Sequence, residues 1–445
     1  MSEPSIGIKA GAPTTAHLDF EDAKQAQVRE HALRTARSCA WVPGKSHSDK
    51  PREIFRRSAA RLSRVERDLY RLPPRELSED LKWLSDNFRL VRTELRTVGE
   101  SVKFLGRLPV VRSPDEESAP RCLVFARALL DEGNNQLTEN LFSSFIQAAQ
   151  EIEPLRISEL WGMVPALKLV LLEILAESGA NALQAFRTSG ANPHPYHIDR
   201  LISSLQFLGI VDWKEILEEL SHVHQVLRLD PAGIYPRMEF ESRDLYRKAI
   251  EEIAAHSEVG EVELAHFAVQ MAKDAKVDRS TPEALRERLR HVGYYLLDES
   301  ASEELRSRAG YRPPFDSSVK RLFRKFPDEV YIIGIEAVTL ATVVALIMSI
   351  VETNGGFGLI IGALLLMIPA TQAAVELMNY LVTAVLPPIA LPKLDFSKGV
   401  DPFCATMVAI PTLLLKEDQI RKLAGDLEVR YLVNRDPNIF FALLT

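Results

Sequence analysis

The sequence predicts a mainly α-helical protein with a two-helix membrane hairpin and an incomplete α/β unit after it. Three observations predict this. Apolar residues recur with helical periodicity from about Ile54 to Phe315, and alternating β-branched runs are few. Charge is dense up to about residue 325 and nearly absent from 330 to 390. Beyond that gap a strand, a turn, a helix and a second strand follow in order, and the sequence stops.

Taken from the start, residues 1–30 lack apolar periodicity, and a disordered tail is expected over 1–45. No apolar h-region of a cleavable signal peptide is visible there. An all-helical cytosolic domain is expected over 46–315. Phe55, Leu62, Val65, Leu69 and Leu72 share one helical face, and Pro73-Pro74 ends that helix. A second helix is expected from Leu77 to Val98, then a linker rich in Pro, Ser, Asp and Glu over Pro109–Pro120. Ser158 reads as the N-cap of a helix reaching about Glu177 that is apolar nearly all round. Lys168, Glu173 and Pro165 interrupt it, which favours a buried core helix over a membrane span. Further helices are expected near Ile198–Leu208, Trp213–Arg228, Ser242–His256, Glu261–Ala275 and Pro282–Leu297. No repeat of fixed length emerges.

The hairpin is expected within 316–390. Val330–Val351 is 22 residues with one charge, Glu336, matching the ~20 residues a bilayer span needs. Thr353-Asn354-Gly355-Gly356 makes a turn. Phe357–Pro369 alone, 13 residues, would reach only about 20 Å of a ~30 Å hydrocarbon core. The helix must therefore continue through Pro369, with a kink, to about Leu386. Along this continuation Gln372, Glu376, Asn379 and Thr383 form one polar stripe, opposite Val375, Met378, Val382 and Val385. Either the stripe marks an interface helix packed on protein, or it marks polar residues near the end of a span. Lys320, Arg321, Arg324 and Lys325 precede the hairpin, Lys393 and Lys398 follow it, and its loop has neither Lys nor Arg. The positive-inside rule then places both ends in the cytoplasm.

The last unit reads as a strand (Thr406–Ile410), a Pro411-Thr412 turn, an amphipathic helix and a strand (Ile439–Leu444). Ligands of open α/β sheets bind beyond the carboxyl ends of strands, here at Ile410-Pro411-Thr412 and Leu443-Leu444-Thr445. No Asp-x-Asp occurs anywhere in the chain, so the reading contains no complete active site.

Other motifs carry less. A net charge of −7 and a pI near 5.9 argue against nucleic acid as a general partner. Cys39, Cys122 and Cys404 are far apart and favour reduced thiols over a disulfide framework. Val42-Pro43-Gly44-Lys45-Ser46 ends like a phosphate-binding loop, but Cys39 replaces its first glycine and no strand leads in. His194-x-x-His197 and His222-x-His224 lack Cys or carboxylate neighbours at metal-ligand spacing, so no metal is expected in this chain. Arg57, Arg61, Arg64 and Arg71 lie on one helical stripe, read either as a solvated face or as a contact for anionic headgroups. Tyr235, Arg237, Arg243, Asp244, Tyr246 and Arg247 read as a salt-bridged corner after the Asp230-Pro231-Ala232-Gly233 turn.

Several blocks together resemble the N-terminal part of the cyclic β-1,2-glucan synthases, large bacterial membrane enzymes. They are Trp83-Leu84-Ser85-Asp86-Asn87-Phe88, Ile157-Ser158-Glu159-Leu160-Trp161 and Asp230-Pro231-Ala232-Gly233-Ile234-Tyr235-Pro236-Arg237-Met238. His291-Val292-Gly293-Tyr294-Tyr295-Leu296, Leu391-Pro392-Lys393-Leu394-Asp395-Phe396, Leu427-Glu428-Val429-Arg430-Tyr431-Leu432 and Asn434-Arg435-Asp436-Pro437-Asn438 continue the series. The resemblance implies a glycosyltransferase using UDP-glucose with Mg²⁺ or Mn²⁺ at the cytoplasmic face of the inner membrane. It implies that residues 400–445 begin the nucleotide-sugar fold, with Pro411 and Thr412 beside the uridine. The metal motif, the catalytic base, the later membrane helices and the phosphorylase-like region of that family are absent from this chain. The expectation is an anchoring and accessory region, inactive alone, with membrane lipid and the missing transferase and phosphorylase-like remainder as partners. The alternative is a non-catalytic, membrane-anchored interaction protein.

Overall fold

The computed structural model describes residues 15–42, 47–73, 77–112, 118–189, 196–275, 282–313, 326–350, 356–385, 391–413 and 416–444. They are mainly α-helical, as the sequence predicts. The chain divides into two compact units, Met1–Asp230 with Glu261–Gln270, and Pro231–Gly260 with Met271–Thr445. The helical domain expected over 46–315 is therefore divided. Its later helices pack among themselves and with residues that follow the apolar hairpin.

The first unit contains α1 (Thr15–Ser38), β1 (Ala40–Trp41), α2 (Lys50–Leu69), α3 (Glu79–Asp86), α4 (Phe88–Leu105), β2 (Val110–Arg112) and β3 (Ser118–Pro120). It continues through α5 (Arg121–Glu132), α6 (Glu139–Gln150), α7 (Ile157–Ser189), α8 (Ile198–Ile210), α9 (Trp213–Leu220) and α10 (His222–Leu227). Helix α7 is its centre. Leu160, Met163, Leu167, Val170, Leu171 and Leu175 are all buried, as a helix apolar on every side requires. Truncating one such leucine to alanine costs about 2–5 kcal/mol. The charges that spoke against a membrane span are each answered by protein. Lys168 Nζ lies 2.8 Å from Glu94 Oε2 of α4, an ion pair without hydrogen-bond alignment, and Glu173 accepts from Arg127 of α5. Ser158 is not an N-cap, because the helix already begins at Ile157. Its first amide groups are satisfied by carboxylates instead: Ile157 N–H by Glu261 at 2.7 Å and Arg156 N–H by Glu159 at 3.1 Å.

Four other expectations fail in this unit. The tail expected over 1–45 contains α1, which packs on α5 and α6. Its apolar stripe, Val28, Ala32 and Ala36, is too thin and small-sided to stand out in the sequence. Arg29 forks onto Glu151 at 2.7 and 3.1 Å and adds a distant anchor. The linker expected over Pro109–Pro120 contributes β2 and β3, an antiparallel pair in register Val111↔Ala119, with β1 alongside. Finally, the helix expected over Leu77–Val98 is two helices separated at Asn87, whose side-chain amide donates to the Trp83 carbonyl at 2.9 Å. The helix expected over Trp213–Arg228 also breaks, at Ser221, which caps α10 through the His224 N–H at 3.3 Å.

Helix α11 (Phe240–Ala254) opens the second unit after a short 3₁₀ turn at Tyr235–Arg237. Following α12 (Glu261–Lys273), which straddles the boundary, come α13 (Glu283–Arg290), α14 (Val292–Leu297) and α15 (Glu299–Arg308). Then come α16 (Pro327–Ile350) and α17 (Gly356–Val385), and last β4 (Thr406–Pro411), α18 (Glu417–Val433) and β5 (Ile439–Leu444). Helices α16 and α17 are long and apolar enough to cross a membrane. Asp328–Met348 has a mean hydropathy of 2.3 and Ile361–Ala384 of 1.6, and little of either is buried by protein. Pro369 lies inside α17, which runs through it as one element. The expected turn at residues 353–355 lies outside the described residues.

The two apolar helices meet along a narrow seam. Thr339 and Val343 of α16 and Ala370, Ala374 and Met378 of α17 are its buried residues. Gly334 makes the closest approach: a Cβ there would lie 2.5 Å from Met378 Cε. Strands β4 and β5 are parallel, in register from Thr406↔Ile439 to Pro411↔Leu444, with α18 as the crossover. No residue of α18 is buried, so it shows no packed face.

Candidate functional site

Three features lie along the second unit: the stripe on α17, the ends of the two parallel strands, and a hydrogen-bonded junction between them in sequence. The stripe residues Gln372, Glu376, Asn379 and Thr383 are exposed and flank the α16 seam rather than face it. Tyr331 of α16 donates to Asn379 Oδ1 at 2.8 Å, and the Gln372 amide lies 3.4 Å from Glu376 Oε1. Thr383 turns back to the Asn379 and Tyr380 carbonyls at 2.8 and 3.0 Å. Glu336 of α16 is exposed.

Pro411 and Thr412 sit side by side with the end of β5. The Thr412 N–H donates to the Leu444 carbonyl at 2.9 Å, so both carboxyl strand ends open at one edge. That edge is where an open α/β sheet receives a ligand. Among the described residues, the chemistry there consists of main-chain groups, the Thr412 hydroxyl and the start of α18. Among the described residues no group of three His, Cys, Asp or Glu side chains is placed to hold a metal. Both strands are apolar on both faces yet open: Met407 is 68% and Phe440 53% exposed. Parallel strands of this composition are ordinarily covered on both sides.

Four of the recognisable sequence blocks meet in the junction, although they are up to about 200 residues apart. Met238 pairs with Leu394 in an antiparallel bridge. It is framed by Glu239 N–H to the Lys393 carbonyl at 3.1 Å and Asp395 N–H to the Arg237 carbonyl at 2.8 Å. The Lys393 N–H donates to Ser242 Oγ at 2.8 Å, and Arg237 Nη2 to Asp401 Oδ2 at 2.7 Å. Asp401 also caps the turn that leads into β4, through the Phe403 N–H at 3.0 Å. On its other side the segment is bound by the block before β5. Val400 N–H donates to Asp436 Oδ2 at 2.9 Å, and Asn438 Nδ2 donates to the Val400 carbonyl at 2.7 Å. The Ser397 N–H and hydroxyl hold the Asp395 carboxyl below the usual carboxylate range.

The His291 block supports this junction from inside. Tyr246 of α11 is buried, stacks beside buried Tyr235 at 5.9 Å, and shares a 2.8 Å hydrogen bond with His291 Nε2. Arg247 is fully buried, 3.4 Å from Asp244 and over the Phe240 ring. The corner read from spacing is thus a packed one. Its pairing with residues 391–401 left no signal in the sequence, since only long-range contact creates it. Of the remaining motifs, residues 43–46 of the phosphate-loop-like stretch and His194 lie outside the described residues. His224 is buried 3.6 Å from Glu218, and burial lowers the His222 pKa.

No family model matches the chain. The chain spans about a sixth of the length of the curated relative it matches. That relative is the cyclic β-(1,2)-glucan synthase NdvB of Rhizobium meliloti (strain 1021), to which this chain is 25% identical over 483 aligned residues, covering 90% of this chain and 16% of the relative. The chain is therefore related to a region of that glucan synthase.

Proposed function

We propose that this chain is the N-terminal membrane-anchoring and accessory region of a UDP-glucose-dependent β-1,2-glucan synthase. The observation that carries the reading is the order of elements in the second unit. Two helices of membrane-crossing length lead through a hydrogen-bonded junction into a parallel β–α–β unit whose strands are apolar on both faces. Such strands need further strands and helices to cover them. In this reading α16 and α17 cross the bacterial inner membrane with both ends in the cytoplasm. The junction then holds the first strands of a nucleotide-sugar domain at that face. Pro411 and Thr412 line the uridine end, and the stripe Gln372, Glu376, Asn379 and Thr383 faces the transferase domain.

The test is transfer of labelled glucose from UDP-glucose, with Mg²⁺ or Mn²⁺, by membranes carrying the chain. The chain alone is expected to give no polymer. The chain extended by the coding sequence downstream of Thr445 is expected to give one. Polymer from the chain alone would overturn the proposal. So would an extension with neither an Asp-x-Asp motif nor transfer, which would favour a non-catalytic interaction protein.

A further inference from the structure

Helix α2 carries seven basic and three acidic residues in its 20, and α4 four basic and two acidic in its 18, within a chain of net charge −7. One of the α4 acids, Glu94, is buried against Lys168 and does not offset the surface. Ile54, Leu62, Val65 and Leu69 of α2 face the core, which directs the arginines to the opposite, exposed arc. The two helices pack antiparallel, since Arg92 reaches Glu66 at 3.3 Å while Gly99 abuts Phe55. Their outer surfaces therefore form one face. Among the described residues, Arg56, Arg61, Arg64, Arg89 and Arg96 are exposed and have no acidic partner. Arg57–Glu53 and Arg92–Glu66 are the pairs on this face.

This arrangement works against the helix itself. Arg57, Arg61, Arg64, Arg67 and Arg71 recur at spacings of three and four, the spacings at which like charges repel across a turn. An anionic surface removes that repulsion. Exposed aromatics stand at the carboxyl ends of both helices, Tyr70 (75% exposed) and Phe104 (40%); tyrosine settles at the headgroup level, and phenylalanine inserts at the acyl boundary.

We propose that the α2–α4 face binds the anionic phospholipid headgroups of the bilayer crossed by α16 and α17, an inference that rests on the membrane reading above. Tethering by the apolar helices makes this second contact intramolecular, so individually weak arginine–headgroup attractions suffice. Nucleic acid is the other polyanion such a face fits, but the chain's net charge of −7 disfavours it and the tether favours lipid.

The test uses the full chain in nanodiscs of phosphatidylcholine, with or without phosphatidylglycerol. Cys39 and Cys404 are replaced by Ser; Cys122 is buried, which raises its thiol pKa and keeps it unreactive. A fluorophore is placed at Ala60→Cys, on the exposed arc of α2, or at Leu364→Cys, on the exposed surface of α17. At position 60, a headgroup-attached quencher should quench several-fold more strongly in the phosphatidylglycerol discs. Arg56→Gln, Arg64→Gln, Arg89→Gln and Arg96→Gln together should abolish that difference. So should about 1 M salt, where the screening length falls to roughly 3 Å. Equal quenching in both lipids, or no effect of the four substitutions, overturns the proposal, as does release of the face from the bilayer by a DNA oligonucleotide. An acyl-chain quencher acting on position 364 reports the hairpin separately. Its silence would sink the membrane reading, while its action with a silent position 60 would sink only this inference.

Discussion

Alanine at position 293 places a methyl group where the second unit has no room for one. A Cβ on Gly293 would lie 2.2 Å from Tyr246 Oη, 2.5 Å from its Cζ and 2.6 Å from His291 Nε2. Carbon contacts relax only near 3.5 Å, so the phenol must retreat by about 1 Å. Tyr246 is 2% exposed and cannot swing into solvent. Two costs follow: overpacking of about 1–3 kcal/mol, and about 1–3 kcal/mol for a buried hydroxyl separated from its partner. Against them stands the gain of about 0.5–1 kcal/mol from replacing glycine inside a helix. The steric terms win, and Gly293→Ala should lose about 2–4 kcal/mol. All four tryptophans (Trp41, Trp83, Trp161 and Trp213) lie in the first unit, so intrinsic fluorescence would miss the change. Pulse proteolysis in a urea series, with cleavage read by antibodies to the second unit, would detect it. Tyr246→Phe in the same background removes the closest atom and should recover part of the loss. Gly425→Ala in α18, where nothing lies within 4 Å, should instead be neutral or stabilising. A Gly293→Ala chain as stable as the parent refutes the packing described for this junction.

Three further outcomes are expected. Arg121→Met should cost about 3–5 kcal/mol in urea unfolding, because it strips the buried Glu159 carboxylate of its guanidinium, while Arg121→Met with Glu159→Leu should recover most of that. Met238→Cys with Leu394→Cys should form a disulfide under mild oxidation; the bridge is of the non-hydrogen-bonded type, with Cα atoms about 4.5 Å apart, inside the disulfide range. Failure to cross-link in the folded chain would count against the junction. At pH 8 Cys39 should alkylate more than ~100-fold slower than a free thiol, because burial raises its pKa to about 11. A Cys39 rate matching that of unfolded chain would contradict the described packing of the strand region.

The sequence announced some elements almost to the residue, for physical reasons that are local. The terminal strands fall where β-branched and apolar residues alternate with turn signals, and they appear at Thr406–Pro411 and Ile439–Leu444. The apolar hairpin and the buried helix α7 were legible because hydropathy over twenty residues outweighs any local ambiguity. Short or thin signals were not legible. Among the described side chains of helix α1 only Val28 and Ala32 are buried, and β2 is three residues of a stretch whose composition reads as linker. The junction was invisible for another reason. Its residues stand in separate blocks of the sequence, the pairing of Met238 with Leu394 spans more than 150 residues, and nothing in either block names its partner. The stripe on α17 was seen, though its partner Tyr331 was not, since that contact depends on the packing of two helices.

Membrane placement is the claim on which the rest depends, and paired topology reporters measure it most directly. One cytosol-dependent and one periplasm-dependent reporter would be fused after Leu444, and the same pair inserted at Asn354, between α16 and α17. The account predicts cytosolic activity after Leu444 and periplasmic activity at Asn354. A periplasmic signal after Leu444, or cytosolic signals at both positions, would contradict it.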